Sequence, residues 1–313
     1  MTQENTPTAA PPAPPSGLKL WLLAARPFSF TASVVPVLVG ALAGFASQDA
    51  VAWPLLAPVL IAAVLVHAGT NLFNDTHDYD KGVDREGTLG GSGMIVAGQL
   101  TSKQTNRAAL LCFAVVLALG VWFIVLRGWP IALLGGLGLL GGYAYTGRPV
   151  GYKYIALGDP MVFALMGPLM VIGADIVLTG AFHWATLWIS LPVGFLVMSI
   201  LHGNNLRDLE DDRQSGFRTI AMLIGAPAAR AWYGVQVLAA FAAAAALIAL
   251  QVLPLWSIAV ILALPAALKN IVRVSRQTRT GDPLADIDVR SAQVHMQFGV
   301  LLTLSILVGA LIR

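Results

Sequence analysis

Long apolar runs alternate with shorter polar connections along most of this chain. A membrane-spanning helix needs about 20 predominantly apolar residues. Runs of that kind fall near 20–46, 53–73, 106–126, 130–146, 159–180, 184–203, 228–250, 253–272 and 294–312. The fourth is short and carries Gly135, Gly136, Gly138, Gly141 and Gly142, small residues that let helices approach closely. The pattern predicts an all-α membrane protein with about nine transmembrane helices. Residues 1–17, MTQENTPTAAPPAPPSG, lack the basic start and apolar core of a secretory leader. They are expected to be a disordered Pro-rich tail ahead of a single transmembrane domain over 18–313.

Composition supports the bilayer as solvent. The chain is 57% hydrophobic and 11% charged, against about 25% charged in a typical soluble domain. The single cysteine, Cys112, lies in an apolar run and excludes a disulfide framework. No nucleic-acid partner is expected. Charge distribution sets direction: with the N-terminus in the cytoplasm and nine spans, every Lys and Arg except Arg127 and Arg313 falls at a cytoplasmic end. The C-terminus is then outside. The outer connections are short, the inner ones long and polar, so the working face is cytoplasmic. Arg273, Arg276 and Arg279 form a basic inner loop suited to anionic lipid headgroups.

Two acidic clusters stand out in a chain that otherwise avoids charge. The first reads N-L-F-N-D-T-H-D-Y-D-K-G-V-D over 71–84. If the second helix continues to about residue 79, then Asn71, Asn74, Asp75 and Asp78 share one face. Gly82 is expected to end that helix and let Asp84 turn back toward it. The second reads N-N-L-R-D-L-E-D-D-R over 204–213. Asn204, Asp208 and Asp212 are spaced i, i+4, i+8; Asn205 joins the stripe, while Arg207 and Asp211 are expected to point elsewhere. At an offset of 134 residues, Asn71-Leu72, Asn74, Asp78 and Gly82 match Asn205-Leu206, Asp208, Asp212 and Gly216. This suggests a parallel pseudo-repeat around a central cavity.

Like charges at i, i+4 destabilise a helix, and ionisable groups near hydrocarbon are costly. Stacked carboxylates make sense with a cation between them. Mg²⁺ takes oxygen ligands, typically one or two carboxylates together with substrate phosphates. Lys81, Arg85, Lys153 and Arg213 are placed to neutralise remaining phosphate charge. An EF-hand is excluded, because its D-x-D-x-D-G spacing and terminal Glu are absent. A secondary transporter would carry its acids near the bilayer midplane; here they sit at the inner ends of spans. Asp159-Pro160 reads as an N-cap followed by Pro. His67 and His202 read as hydrogen-bonded structural groups.

These residues resemble the UbiA superfamily of membrane aromatic prenyltransferases. Asn74, Asp75, Asp78 and Asp84 match its first motif, and Asp208 and Asp212 its second. Segments 25–40, 74–84, 151–159, 204–219 and 292–299 resemble the branch acting on 1,4-dihydroxy-2-naphthoate in menaquinone synthesis. Phe217 departs from it, since that branch usually has Lys there. The resemblance implies Mg²⁺-dependent transfer from a polyprenyl diphosphate to an aromatic acceptor, at the bacterial inner membrane. It implies metal-binding and catalytic roles for Asp75, Asp78, Asp208 and Asp212, with Asn74 and Asp84 as further metal ligands. Substrate contacts are expected from Arg26, Asn71, Lys81, Arg85, Tyr145, Lys153, Asn204, Asn205 and Arg213. Arg26, beside Pro27, reads equally as a snorkelling interfacial residue. Tyr143, Tyr145, Tyr152 and Tyr154 are candidates to stabilise an allylic cation through their rings. Hydroxybenzoate, homogentisate, a haem or a glycerol-based lipid are alternative acceptors within the superfamily.

Overall fold

The computed structural model describes residues 16–47, 50–276 and 284–312. The Pro-rich segment 1–15, Arg279 and Arg313 lie outside these. Among the described residues, eight helices are long and apolar enough to cross a membrane, and Trp129–Ala144 is a shorter apolar one. Its 16 residues reach only about 24 Å at 1.5 Å per residue.

The chain opens with α1 (Gly17–Ala24) and a 3₁₀ turn (Pro27–Phe30) leading into α2 (Thr31–Ala46). Next come α3 (Leu56–Asp80), α4 (Ser102–Arg127) and α5 (Trp129–Ala144). The following span is α6 (Gly158–Ala164) and α7 (Met170–Thr179), joined by a π-helical turn over Leu165–Leu169. Pro168 sits in that turn; without an N–H it cannot continue the i to i−4 ladder. Then follow α8 (Trp184–Arg207), the short α9 (Leu209–Gln214) and α10 (Ile220–Ile224), and α11 (Ala226–Ala249). A 3₁₀ stretch (Leu255–Ala263) continues into α12 (Leu264–Arg276), and α13 (Ile287–Ile312) closes the bundle. Among the described residues there is no strand, only an isolated bridge between Ile155 and Arg218.

The largest core joins α2, α8, α11 and α13 through residues such as Val39, Val193, Val237 and Phe298. Small residues permit the close contacts. A Cβ on Gly40 would lie 2.3 Å from the Val171 carbonyl, and one on Gly299 2.3 Å from Val35. Large apolar side chains remain exposed along α4, among them Leu111 and Val125. Such a face suits lipid rather than water.

Four expectations come out differently. Asp159 is not an N-cap, since α6 begins one residue earlier. It is buried and accepts from His202 Nδ1 at 2.6 Å, Asn205 Nδ2 at 3.1 Å and Gln236 Nε2 at 3.4 Å. The second acidic helix is also broken: Asp208 leaves helical geometry at the end of α8, and α9 restarts beyond it. The N–H of Asp208 still bonds Asn204, and that of Asp212 still bonds Asp208, so the stripe survives the kink. Asn205 leaves it, turned toward Asp159. Arg207 does not point elsewhere, as its contacts below show.

Candidate active site

The C-terminal end of α3 folds as its sequence requires. Gly82 adopts φ +73°, a conformation that favours glycine. Behind it the N–H groups of Val83 and Asp84 both bond the Asp78 carbonyl. This turn returns Asp84 to the bundle, where it is buried beside Asp75 and Asp78. Asp78 is 1% exposed and accepts from Asn74, from the Lys153 ammonium and from the Tyr154 hydroxyl at 2.7 Å. Asp75 accepts from Arg26 and from the Ser92 N–H at 3.0 Å.

Arg26 reaches Asp75 from a left-handed backbone, φ +58°, an unusual state for a residue with a side chain. Asn71 supports it, donating to the Ala25 carbonyl at 3.0 Å and the Ser29 hydroxyl at 3.2 Å. Ser29 in turn bonds the Arg26 carbonyl and His67. Asn71 therefore anchors the turn that presents Arg26. The segment around Gly90–Gly98 supplied no sequence signal, yet it packs on the acids. A Cβ on Gly91 would lie 2.3 Å from Asp84 and 3.3 Å from Asp75.

At the end of α8, Arg207 grips Asp208 with a two-pronged contact, Nε at 2.7 Å and Nη2 at 2.8 Å. Its third nitrogen, Nη1, bonds Asp288 at 2.7 Å. Sequence reasoning missed both Arg207 and Asp288. The only available signal was a carboxylate at the start of the last apolar helix. Asp212 is buried nearby on α9.

Other expected residues divide. Lys153, Tyr145 and Asn204 join the cluster or its cavity. Lys81 lies over the Tyr154 ring at 3.5 Å, and Phe217 packs on the same ring at 4.4 Å between centroids. Arg85 instead pairs with Asp211 and Gln214 at the surface. Arg213 pairs with Glu210, both largely exposed. Tyr143 is exposed and donates to the Arg148 carbonyl.

The electrostatics leave negative charge in excess. Burial, reinforced by Asp78, pushes the Asp84 carboxyl up to about 6, against the pull of Lys153 and Arg26. Burial pushes Asp212 up to about 7, opposed by Lys153 and reinforced by Asp208 and Asp78. Burial opposes the Lys153 charge, but Asp78, Tyr145, Tyr154 and Asp212 together outweigh it and hold the ammonium above its ordinary range. The cluster is thus rich in hard oxygen donors and short of positive charge, which is what Mg²⁺ recognises. Among the described residues no three His, Cys, Asp or Glu side chains gather to hold an ion unaided. A bound Mg²⁺ would take its other ligands from water and phosphate oxygens.

A cavity of about 340 Å³ opens beside this cluster. Its polar mouth includes Arg26, Asn71, Asn74, Asn204, Arg207 and Asp288. From there it runs between apolar side chains to Val59, Phe123, Ile131 and Val177. Asn74 and Val59 are 15 residues apart on α3, about 22 Å of helix. Tyr145 and Tyr152 line it near the mouth.

An apolar cavity with a mouth of paired acids and bases suits a substrate with an anionic head and an apolar tail. The sequence pattern of the UbiA prenyltransferase family matches residues 33–311, and the chain belongs to that family. It is 29% identical over 98% of both chains to a 1,4-dihydroxy-2-naphthoate octaprenyltransferase from Bacillus subtilis. It is 31% identical to a UbiA prenyltransferase domain-containing protein 1 homologue from Drosophila melanogaster, over 91% of this chain and 78% of that one. Among solved structures it resembles a UbiA homologue from Aeropyrum pernix, with TM-score 0.64, 14% identity and coverage of 88% and 97%. It also resembles one from Archaeoglobus fulgidus bound to DMAPP and Mg²⁺, with TM-score 0.61, 15% identity and coverage of 90% and 98%.

Proposed function

We propose that this enzyme transfers a polyprenyl chain from an allylic diphosphate to 1,4-dihydroxy-2-naphthoate, releasing diphosphate and CO₂ and giving the reduced, quinol form of demethylmenaquinone, at the cytoplasmic face of a bacterial inner membrane. The observation that carries this reading is the pairing of two acidic clusters with buried bases at the mouth of an apolar cavity. The naphthoate acceptor is supported by the Bacillus relative, similar over nearly its whole length. The Archaeoglobus structure, bound to DMAPP and Mg²⁺, supports the diphosphate and the metal.

Asp75, Asp78, Asp84, Asp208 and Asp212, with Asn74, would hold Mg²⁺. When bound, Mg²⁺ withdraws charge from the diphosphate and so improves it as a leaving group. Arg26 and Lys153 then turn from their carboxylates, and Arg207 from Asp208, to diphosphate oxygens. The allylic C–O bond breaks, and the Tyr145 and Tyr152 rings face the developing cation through their π faces. The apolar wall keeps water from that carbon and seats the tail. Asn204, whose side-chain oxygen is buried without a partner, accepts a hydrogen bond from an acceptor hydroxyl. The ring carbon beside a hydroxyl attacks, and the acceptor carboxylate leaves as CO₂.

Purified protein should be incubated with Mg²⁺, a polyprenyl diphosphate and dihydroxynaphthoate, with and without EDTA. Parallel reactions should carry hydroxybenzoate and homogentisate. The proposal expects EDTA-sensitive prenylation of the naphthoate. Absence of prenylated product under every metal condition defeats it, and product from another acceptor alone reassigns the acceptor.

A further inference from the structure

Arg207 holds two carboxylates at once. Its Nε and Nη2 take both oxygens of Asp208, and its Nη1 takes Asp288. All three residues lie at the inner end of the bundle, and the Arg207 side chain is 5% exposed. Asp288 belongs to neither acidic cluster. It reaches the site from the first turn of α13, where its other oxygen accepts the Val289 N–H at 2.8 Å.

A carboxylate gripped at both oxygens by a guanidinium has given up the inner lone pairs that would chelate a metal ion. For Asp208 to ligate through them, Arg207 must let go. A buried guanidinium stripped of its partner is strongly disfavoured, so release needs a second counterion already in contact. Asp288 occupies that position. We infer that Asp288 is a positioning residue: it holds Arg207 at the cavity mouth while Asp208 is handed from Arg207 to the metal–diphosphate complex. Arg207 then acts as an exchangeable latch on Asp208, and Asp288 is what makes the latch openable. This rests on Asp208 being a metal ligand.

The test measures binding of Mn²⁺ with inorganic diphosphate to the purified protein, by electron paramagnetic resonance of free Mn²⁺ and by calorimetry. Asp288→Asn keeps an acceptor for Val289 and removes the countercharge. It should weaken binding on the order of tenfold, the scale of a typical coupling between sites. Asp288→Glu should restore most of the loss. In an Arg207→Gln background, where no latch remains, Asp288→Asn should change little. In turnover assays the Mg²⁺ concentration for half-maximal rate should rise more than kcat falls. Unchanged binding in Asp288→Asn, or an equal loss in both backgrounds, overturns the inference. If Asp208→Asn binds the probe as tightly as the unaltered protein, the metal-site reading itself has failed, a result distinguishable from failure of the latch alone.

Discussion

Removing the Lys153 ammonium tests the charge balance of the site directly. Lys153→Met keeps the apolar stem and deletes the cation facing Asp78. The Asp78 side chain is 2% exposed and that of Lys153 is 18% exposed. Breaking a buried pair by removing one partner costs about 3–5 kcal/mol, because the other charge stays buried. Tyr154 and Asn74 still donate to Asp78, so the lower end, about 3 kcal/mol, is expected. Adding Asp78→Asn removes the stranded charge. The double variant should recover about 2 kcal/mol relative to additivity, within the usual range for residues in contact. The assay is unfolding in detergent with EDTA present, so that no metal replaces the lost cation. An equal cost of Lys153→Met with and without the Asp78→Asn substitution would refute the pairing.

Asp75→Asn, Asp78→Asn and Asp212→Asn should each reduce prenyl transfer at least about a hundredfold, the scale of losing a charged transition-state contact, while far-ultraviolet circular dichroism shows the helices intact. Gly91→Ala places a Cβ against Asp84 at φ +67°; it should cost about 1–2 kcal/mol locally and raise the Mg²⁺ requirement about tenfold, measured by metal titration of the rate. Burial pushes Asp84 up to about 6 and Asp212 up to about 7. Mg²⁺ needs both ionised, so its apparent affinity should fall as pH drops below 7, and binding at pH 6 should release protons measurable by calorimetry in buffers of different ionisation enthalpy. Because both carboxyls are raised, the metal-free protein binds more protons folded than unfolded, and its stability should decline as pH rises from about 4 to 7. A flat profile over that window would contradict the burial of these two groups.

Much of the fold was legible because partition into lipid acts on each apolar run separately. Among the described residues, the eight helices long and apolar enough to span, and the shorter Gly-rich one, follow the runs read from the chain. The end of α3 was legible for a similar reason: Gly82 supplies a local turn that returns Asp84. The kink at Asp208 was not legible. At the kink Arg207 grips the Asp208 carboxylate and also meets Asp288, which only α13 brings alongside. Arg85 and Arg213 carried the right charge at a plausible spacing, but the exposed acids Asp211 and Glu210 claim them.

By itself the sequence determined the solvent, the long apolar helices, the carboxylates and the family, because hydropathy and motif spacing are local properties. Tertiary structure alone decided which base meets which acid. Arg26 and Asp75 are 49 residues apart, Lys153 and Asp78 are 75 apart, and Arg207 and Asp288 are 81 apart. Helical periodicity constrains neighbours at three or four residues. Contacts at these separations exist only where the packing of the bundle brings distant segments together. Burial then makes an unpaired charge too costly to leave.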